Sequence, residues 1–222
     1  MKIRTRIAPS PTGLFHIGNA RTALFSYLFA KKNHGEFLLR IEDTDIERSK
    51  KEYEADIIAG LKWLGLIWDG EITRQRDRSP RHREYLEKLL AENKAFYCRH
   101  TPDELEREQK NQELEKIPFK HDCDHKNNPD GHTGVIRLKN PKKKIIFNDL
   151  IRGEIVFESE LLGDIVLAKD LDTPLYNFAV VVDDADMEIT HVIRGDDHLS
   201  NRPKQVLIQE ALGLNQPEYA HL

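Results

Sequence analysis

The feature that most constrains this chain is a pair of prolines and a pair of glycines set between a short strand and a helix. In Arg6-Ile7-Ala8-Pro9-Ser10-Pro11-Thr12-Gly13-Leu14-Phe15-His16-Ile17-Gly18-Asn19, Pro9 and Pro11 restrict the backbone. Gly13 and Gly18 permit tight turning and close approach of a ligand to the main chain. From about Asn19, apolar residues recur at Ala20, Ala23, Leu24, Tyr27 and Leu28, the spacing of a helix packed on a sheet, and Gly35 supplies its stop. Unpaired N–H groups at such a helix start favour an anion, and an adjacent imidazole can donate one more hydrogen bond. The turn therefore reads as a phosphate cradle. A His-x-Gly tripeptide alone is more often a surface histidine in a connecting loop, so the reading depends on the longer context.

The segments that follow alternate strand and helix. Phe37 to Ile41 reads as a buried strand with acidic Glu42-Asp43-Thr44-Asp45 at its carboxyl end, the end where open parallel sheets bind ligands. Ser49 with Glu52 suggests a capping box for a helix striped by Tyr53, Ile57, Leu61 and Leu64. Another helix opens at Ser79-Pro80, carries Tyr85, Leu86, Leu89 and Leu90, and stops near Asn93. These elements predict an α/β fold with a parallel sheet.

After about Ala95 the pattern changes. Thr101-Pro102-Asp103-Glu104 introduces a helix so charged, from Glu106 to Lys116, that it buries little. From His132 onward come short strand candidates at Val135 to Leu138, Ile145 to Phe147, Glu154 to Phe157 and Asp164 to Ala168. Helical signals return at Pro203 to Leu212, closed by Gly213. The middle part looks inserted, giving expected units 1–94, 95–172 and 173–222.

Composition narrows the class of function. No apolar run approaches the roughly 20 residues that cross a bilayer, and the first residues lack the apolar region of a secretory signal. Two cysteines make no disulfide framework and suit a reducing compartment, so the cytoplasm is expected. The net charge of −4 excludes a generally basic nucleic-acid coat. RNA contact would need local patches, for which Arg74, Arg76, Arg78, Arg81 and Arg83, and Lys142 to Lys144, are the candidates, although such runs are more often solvated faces.

The cysteines lie in Cys98-Arg99-His100 and Cys123-Asp124-His125. These four side chains could hold tetrahedral Zn²⁺, and free thiols beside solvent histidines are the competing reading.

Several long strings carry a resemblance. His16-Ile17-Gly18-Asn19 resembles the first signature of class I aminoacyl-tRNA synthetases, usually His-Ile-Gly-His. The whole run from Thr5 to Asn19, followed by Arg40-Ile41-Glu42-Asp43-Thr44-Asp45, is similar to the glutamyl-tRNA synthetases. So are Asp149-Leu150-Ile151-Arg152-Gly153, Pro174 to Asp184, and Thr190 to His198. The resemblance covers essentially all the residues.

That resemblance implies a Rossmann-type catalytic domain interrupted by an inserted α+β domain that holds the tRNA acceptor end. It implies ATP-dependent activation of L-glutamate with Mg²⁺, then transfer to the 3′ end of tRNA(Glu). Arg6 and Arg194 would recognise substrate carboxylates, Ser10 would add a hydrogen bond, Glu42 would hold the amino group, and Ala8 and Tyr176 would shape the pocket. Pro11, Thr12, His16, Gly18 and Asn19 would bind ATP, with His16, Gly18 and Asn19 serving the chemistry. Some relatives carry zinc in the insert, which supports Cys98, His100, Cys123 and His125 as its ligands. The lysine-containing second signature and the anticodon-binding domain fall after Leu222 in the family, so this polypeptide alone is expected to activate glutamate feebly or not at all. Three other readings remain: a short paralogue that glutamylates a modified base of tRNA(Asp), a glutaminyl-specific relative, and a non-catalytic nucleotide- or RNA-binding module.

Overall fold

Strands β1 (Arg4–Ile7) and β2 (Glu36–Ile41) pair in parallel, Arg6 opposite Leu38 and Ile7 opposite Leu39, and β3 (Thr73–Arg74) extends the sheet beyond β2. Phe37, Leu39 and Ile41 are fully buried on one face and Arg40 on the other, as expected for a parallel strand covered on both faces. These relations come from a computed structural model that describes residues 2–45, 47–127 and 133–222. His132, where the strand-rich stretch is expected to open, lies outside the described residues.

A second parallel pair, β9 (His191–Arg194) and β10 (Glu218–His221), lies beside the first. Thr190 N donates to Arg4 O at 2.9 Å and Arg4 N to Thr190 Oγ1 at 2.8 Å, which sets β9 against β1. The carboxyl ends of β1, β2, β9 and β10 thus open toward the same region, the place where a doubly wound sheet binds ligands.

Helix α1 (Ile17–Lys32) follows the proline turn, and α2 (Lys51–Trp63) follows β2. The buried face of α1 is Ala23, Ser26 and Ala30, whereas Leu24 and Leu28 are 43% and 55% exposed. The predicted stripe was therefore rotated: this helix has apolar residues on two faces, and the small ones win the close approach to the sheet. The Ser49 cap is also absent, because Lys50 occupies the cap position without a side-chain bond and the Ser49 hydroxyl has no partner. Helix α3 (Ser79–Ala91) opens at Ser79-Pro80 as expected and buries Leu86 and Leu89.

Residues 95–127 and 133–172 supply an antiparallel sheet, β4 (Ala95–Cys98), β5 (Val135–Leu138) and β8 (Val166–Ala168), in that order. Helix α4 (Pro102–Leu114) carries the predicted Thr101–Glu104 capping box and buries none of its residues. The hairpin β6 (Lys144–Asp149) and β7 (Gly153–Glu158) does not join that small sheet. It extends the parallel one in the order β7-β6-β10-β9, with Asp149 opposite Tyr219.

Helix α5 (Tyr176–Asp186) passes through the centre and buries Phe178 through Asp184, while α6 (Arg202–Leu212) ends at Gly213 in the left-handed conformation.

Candidate functional site

A cavity of about 690 Å³ opens at the strand ends. Arg6, Ala8, Ser10, Thr12, His16, Gly18, Asn19, Glu42, Tyr176 and Arg194 all line it. Of the cavity residues expected from sequence, Pro11 alone is absent from the lining. It is buried and its carbonyl accepts from Lys50 N at 3.0 Å, so it shapes the loop from behind.

The proline turn is stitched to its surroundings. Glu42 N donates to Pro9 O at 3.0 Å, and Phe15 N to Asp56 Oδ2 at 2.7 Å. Gly60, inside α2, is where the Phe15 ring packs, since a Cβ there would lie 2.4 Å from it. The loop therefore presents His16 from a fixed base. His16 is the N-cap of α1, and its Nδ1 accepts the Gly18 N–H at 3.1 Å while Asn19 Oδ1 accepts from His16 N at 3.4 Å. In the neutral ring the proton is then on Nε2, free to donate toward a ligand. Asn19 closes a capping box, which accounts for an amide where the family signature has its second histidine.

Behind the turn lies a compensated charge cluster. Arg40, with no exposure, donates to Asp184 Oδ1 at 2.6 Å and to Glu42 Oε1 at 2.9 Å. Arg6 donates to the same Asp184 at 3.1 and 3.4 Å. Burial pushes the Asp184 carboxyl up, but Arg40 and Arg6 outweigh it and hold the group below the usual carboxylate range. The neighbouring Asp183 faces away and accepts from Gln75, Arg78 and His82.

Arg194 is different. It is 4% exposed and donates to His221 Nε2 at 2.9 Å, Gln205 Oε1 at 3.0 Å and the His198 carbonyl at 3.2 Å. Among the described residues no carboxylate pairs with it. A buried guanidinium with only neutral acceptors can receive an anion, because an uncompensated buried charge is costly until a partner arrives. Tyr176, whose hydroxyl is pushed up by burial and the Glu42 charge, lies 3.3 Å from His198 Nδ1 and adds a neutral wall.

The arginine run is not a free basic face. Arg74 pairs with Glu54, Arg76 with Asp43, Arg78 with Asp183 and Asp186, Arg81 with Asp186 and Glu84, and Arg83 with Asp172. In the lysine run, Lys142 pairs with Asp122 and Lys143 with Glu210.

Cys98, His100, His121 and Cys123 bring one ligand atom each to within 4.8 Å of one another. His100 Nδ1 is 3.5 Å from both sulfurs, and His121 Nε2 is 3.7 Å from Cys98 Sγ. Tetrahedral Zn²⁺ at ordinary bond lengths sets sulfur and nitrogen ligands about 3.5 Å apart, so these residues fit the metal. His125 groups instead with His100, Cys123 and Asp124. His121 belongs to this cluster and was not named by the sequence pattern, whereas His125 Nδ1 also lies 3.5 Å from Cys123 Sγ. The signal for His121 was His121-x-Cys123, a mirror of Cys98-x-His100, with Nδ1 held by Glu108 so that Nε2 faces the sulfur. Burial raises the Cys98 thiol, yet bonds from His121 and His100 outweigh it and bring it down to about 5.

Residues 2–222 match the family described as tRNA synthetases class I (E and Q), catalytic domain. A glutamate-tRNA ligase of Aquifex aeolicus is 52% identical over 231 residues, covering 100% of this chain and 49% of the relative. One from Oleidesulfovibrio alaskensis is 48% identical, covering 100% and 48%. The crystal structure of a glutamate tRNA ligase from Elizabethkingia meningosepticum in complex with its amino acid superposes with a TM-score of 0.90 at 38% identity, covering 100% of this chain and 49% of that one. The chain thus spans about half the length of the relatives it matches. No helix among the described residues is long and apolar enough to cross a membrane.

Proposed function

We propose that this chain, which belongs to the class I tRNA synthetase (E and Q) catalytic-domain family, is the amino-acid-activating part of a cytoplasmic glutamate-tRNA ligase. The observation that carries the reading is Arg194, a buried guanidinium held only by neutral acceptors at the cavity wall. The side-chain carboxylate of L-glutamate is its partner. Glutamine offers no charge, so the desolvated cation penalises it. Glu42 takes the ammonium, Ser10 adds a hydrogen bond, and Arg6, already paired with Asp184, contributes field near the α-carboxylate.

In the first step an oxygen of the α-carboxylate attacks the α-phosphorus of ATP, forming glutamyl-adenylate and releasing pyrophosphate. Positioning and charge stabilisation dominate such transfers. His16 Nε2–H donates to a phosphate oxygen, and Thr12 and the loop backbone around Gly18 and Asn19 border the nucleotide. Mg²⁺ accompanies the ATP and neutralises polyphosphate charge. The acyl group then passes to the terminal ribose hydroxyl of tRNA(Glu), releasing AMP, by proximity rather than through a protein nucleophile.

Within residues 95–172, the small antiparallel sheet and α4 serve as the acceptor-end domain, while the β6–β7 hairpin belongs to the parallel sheet. Zn²⁺ on Cys98, His100, Cys123 and His121 would tie α4, through Glu108, to the small sheet; His125 is the alternative fourth ligand. Metal analysis after dialysis should find zinc near one equivalent, falling steeply in His121→Ala and little in His125→Ala.

Calorimetric titration tests the main reading. The chain should bind L-glutamate and lose that binding in Arg194→Met, with L-glutamine binding weakly to both. A chain indifferent to glutamate would be a nucleotide- or RNA-binding module instead.

A further inference from the structure

We propose that Asp149 and His221 are positioning residues that hold Arg194, through the neutral Nδ1–H form of the His221 ring, in the orientation that receives the substrate side-chain carboxylate. The proposal rests on the glutamate reading above. The three residues end three adjacent strands, Asp149 in β6, Arg194 in β9 and His221 in β10, and the parallel register sets His221 opposite Arg194. Asp149 and His221 are 1% and 0% exposed. Asp149 Oδ2 lies 2.6 Å from His221 Nδ1, and Arg194 Nε lies 2.9 Å from His221 Nε2.

The roles follow from donor chemistry. A guanidinium only donates, so His221 Nε2 must accept, and the ring proton is on Nδ1, directed at a carboxylate. Asp149 cannot rotate away, because its other oxygen accepts from Ile151 N and Arg152 N at 3.0 Å each. The charged groups around the ring are Asp149 from β6, Arg194 from β9 and Asp196 after β9; a protonated ring would oppose its own N–H to that of Arg194. Burial, the largest influence, and Arg194 accordingly favour the neutral ring over the pull of Asp149.

The arrangement solves a problem that the Arg6 site does not face. A carboxylate touching Arg194 directly would neutralise it, as Asp184 neutralises Arg6. An uncharged ring interposed between Asp149 and Arg194 fixes the guanidinium and leaves its charge for the ligand.

Asp149→Asn is the discriminating variant. The amide oxygen can keep the Ile151 and Arg152 bonds, leaving the amide nitrogen to face His221 Nδ1 as a donor. The ring must then carry its proton on Nε2, against Arg194 Nε–H, a tautomer inversion of the kind that disables an oriented histidine without removing it. Non-hydrolysable glutamyl- and glutaminyl-adenylate analogues should be titrated into the unmodified chain and the variant. The expected result is at least about a tenfold loss for the glutamyl analogue and an unchanged affinity for the glutaminyl one.

Imidazole ¹⁵N shifts of the unmodified chain read the tautomer without any variant, and should show His221 protonated at Nδ1 and bare at Nε2. A bare Nδ1 or a doubly protonated ring would overturn the proposal, as would a folded Asp149→Asn chain that keeps its glutamyl preference. An unmodified chain that binds neither analogue, or both equally, would instead overturn the glutamate reading and leave the tautomer result standing.

Discussion

The two ends of the cavity hold arginines in opposite ways. At the β1–β2 end, Arg6 and Arg40 are matched by Asp184 and Glu42, so the charges close on themselves. At the β9–β10 end, Arg194 meets a histidine, an amide and a carbonyl. The difference separates the roles the two ends can take: buried cations with acid partners are spent on each other, and one held by neutral acceptors keeps a charge that a ligand can meet.

The largest test of that contrast is Asp184→Ala, which strips both Arg6 and Arg40 of a shared partner. Stability should drop by about 3–5 kcal/mol, read by urea unfolding; a loss under about 1 kcal/mol would show that the charges at the β1–β2 end are not spent on each other. Arg194→Met should cost less, about 1–2 kcal/mol, because it leaves neutral hydrogen-bond acceptors rather than a buried charge without a partner. Equal losses in the two variants would erase the distinction.

The smallest effect is in pH, where the ends should weaken in different windows. Arg40 and Arg6, against burial, hold Asp184 below its unfolded value, so its contribution is complete above about pH 4 and is lost as pH falls further. Burial and Arg194 hold His221 below its unfolded value, so the unfolded chain takes up the proton first. That contribution is complete above about pH 6.5 and is lost as pH falls below it. Between pH 7 and 5 the unmodified chain should therefore lose stability more steeply than His221→Asn, by at most about 1.4 kcal/mol per pH unit. Parallel slopes would contradict the neutral ring.

What the sequence revealed divides along the same line. The proline turn, β2, α3 and the Thr101 cap were legible because each is specified by neighbours in the chain. Helix α5 was not, since Val180-Val181-Val182 has the β-branched composition of a strand and is made helical by packing on all sides. The face of α1 was misread because Leu24, Phe25 and Leu28 give it a second apolar side. Arg6 and Arg194 were recognised as a pair, but nothing local distinguishes the compensated cation from the open one. Asp149 lies 72 residues from His221, and Arg6 lies 178 from Asp184. His121 went unnamed because the two Cys-x-His pairs already supplied four candidate ligands.

The most direct test of the receptor assignment is a crystal structure of this chain with L-glutamate bound. The side-chain carboxylate should lie on the Arg194 guanidinium, with His221 still accepting from Nε and the Arg6–Asp184 pair intact. A side-chain carboxylate seated on Arg6, with Asp184 displaced and Arg194 untouched, would contradict that assignment.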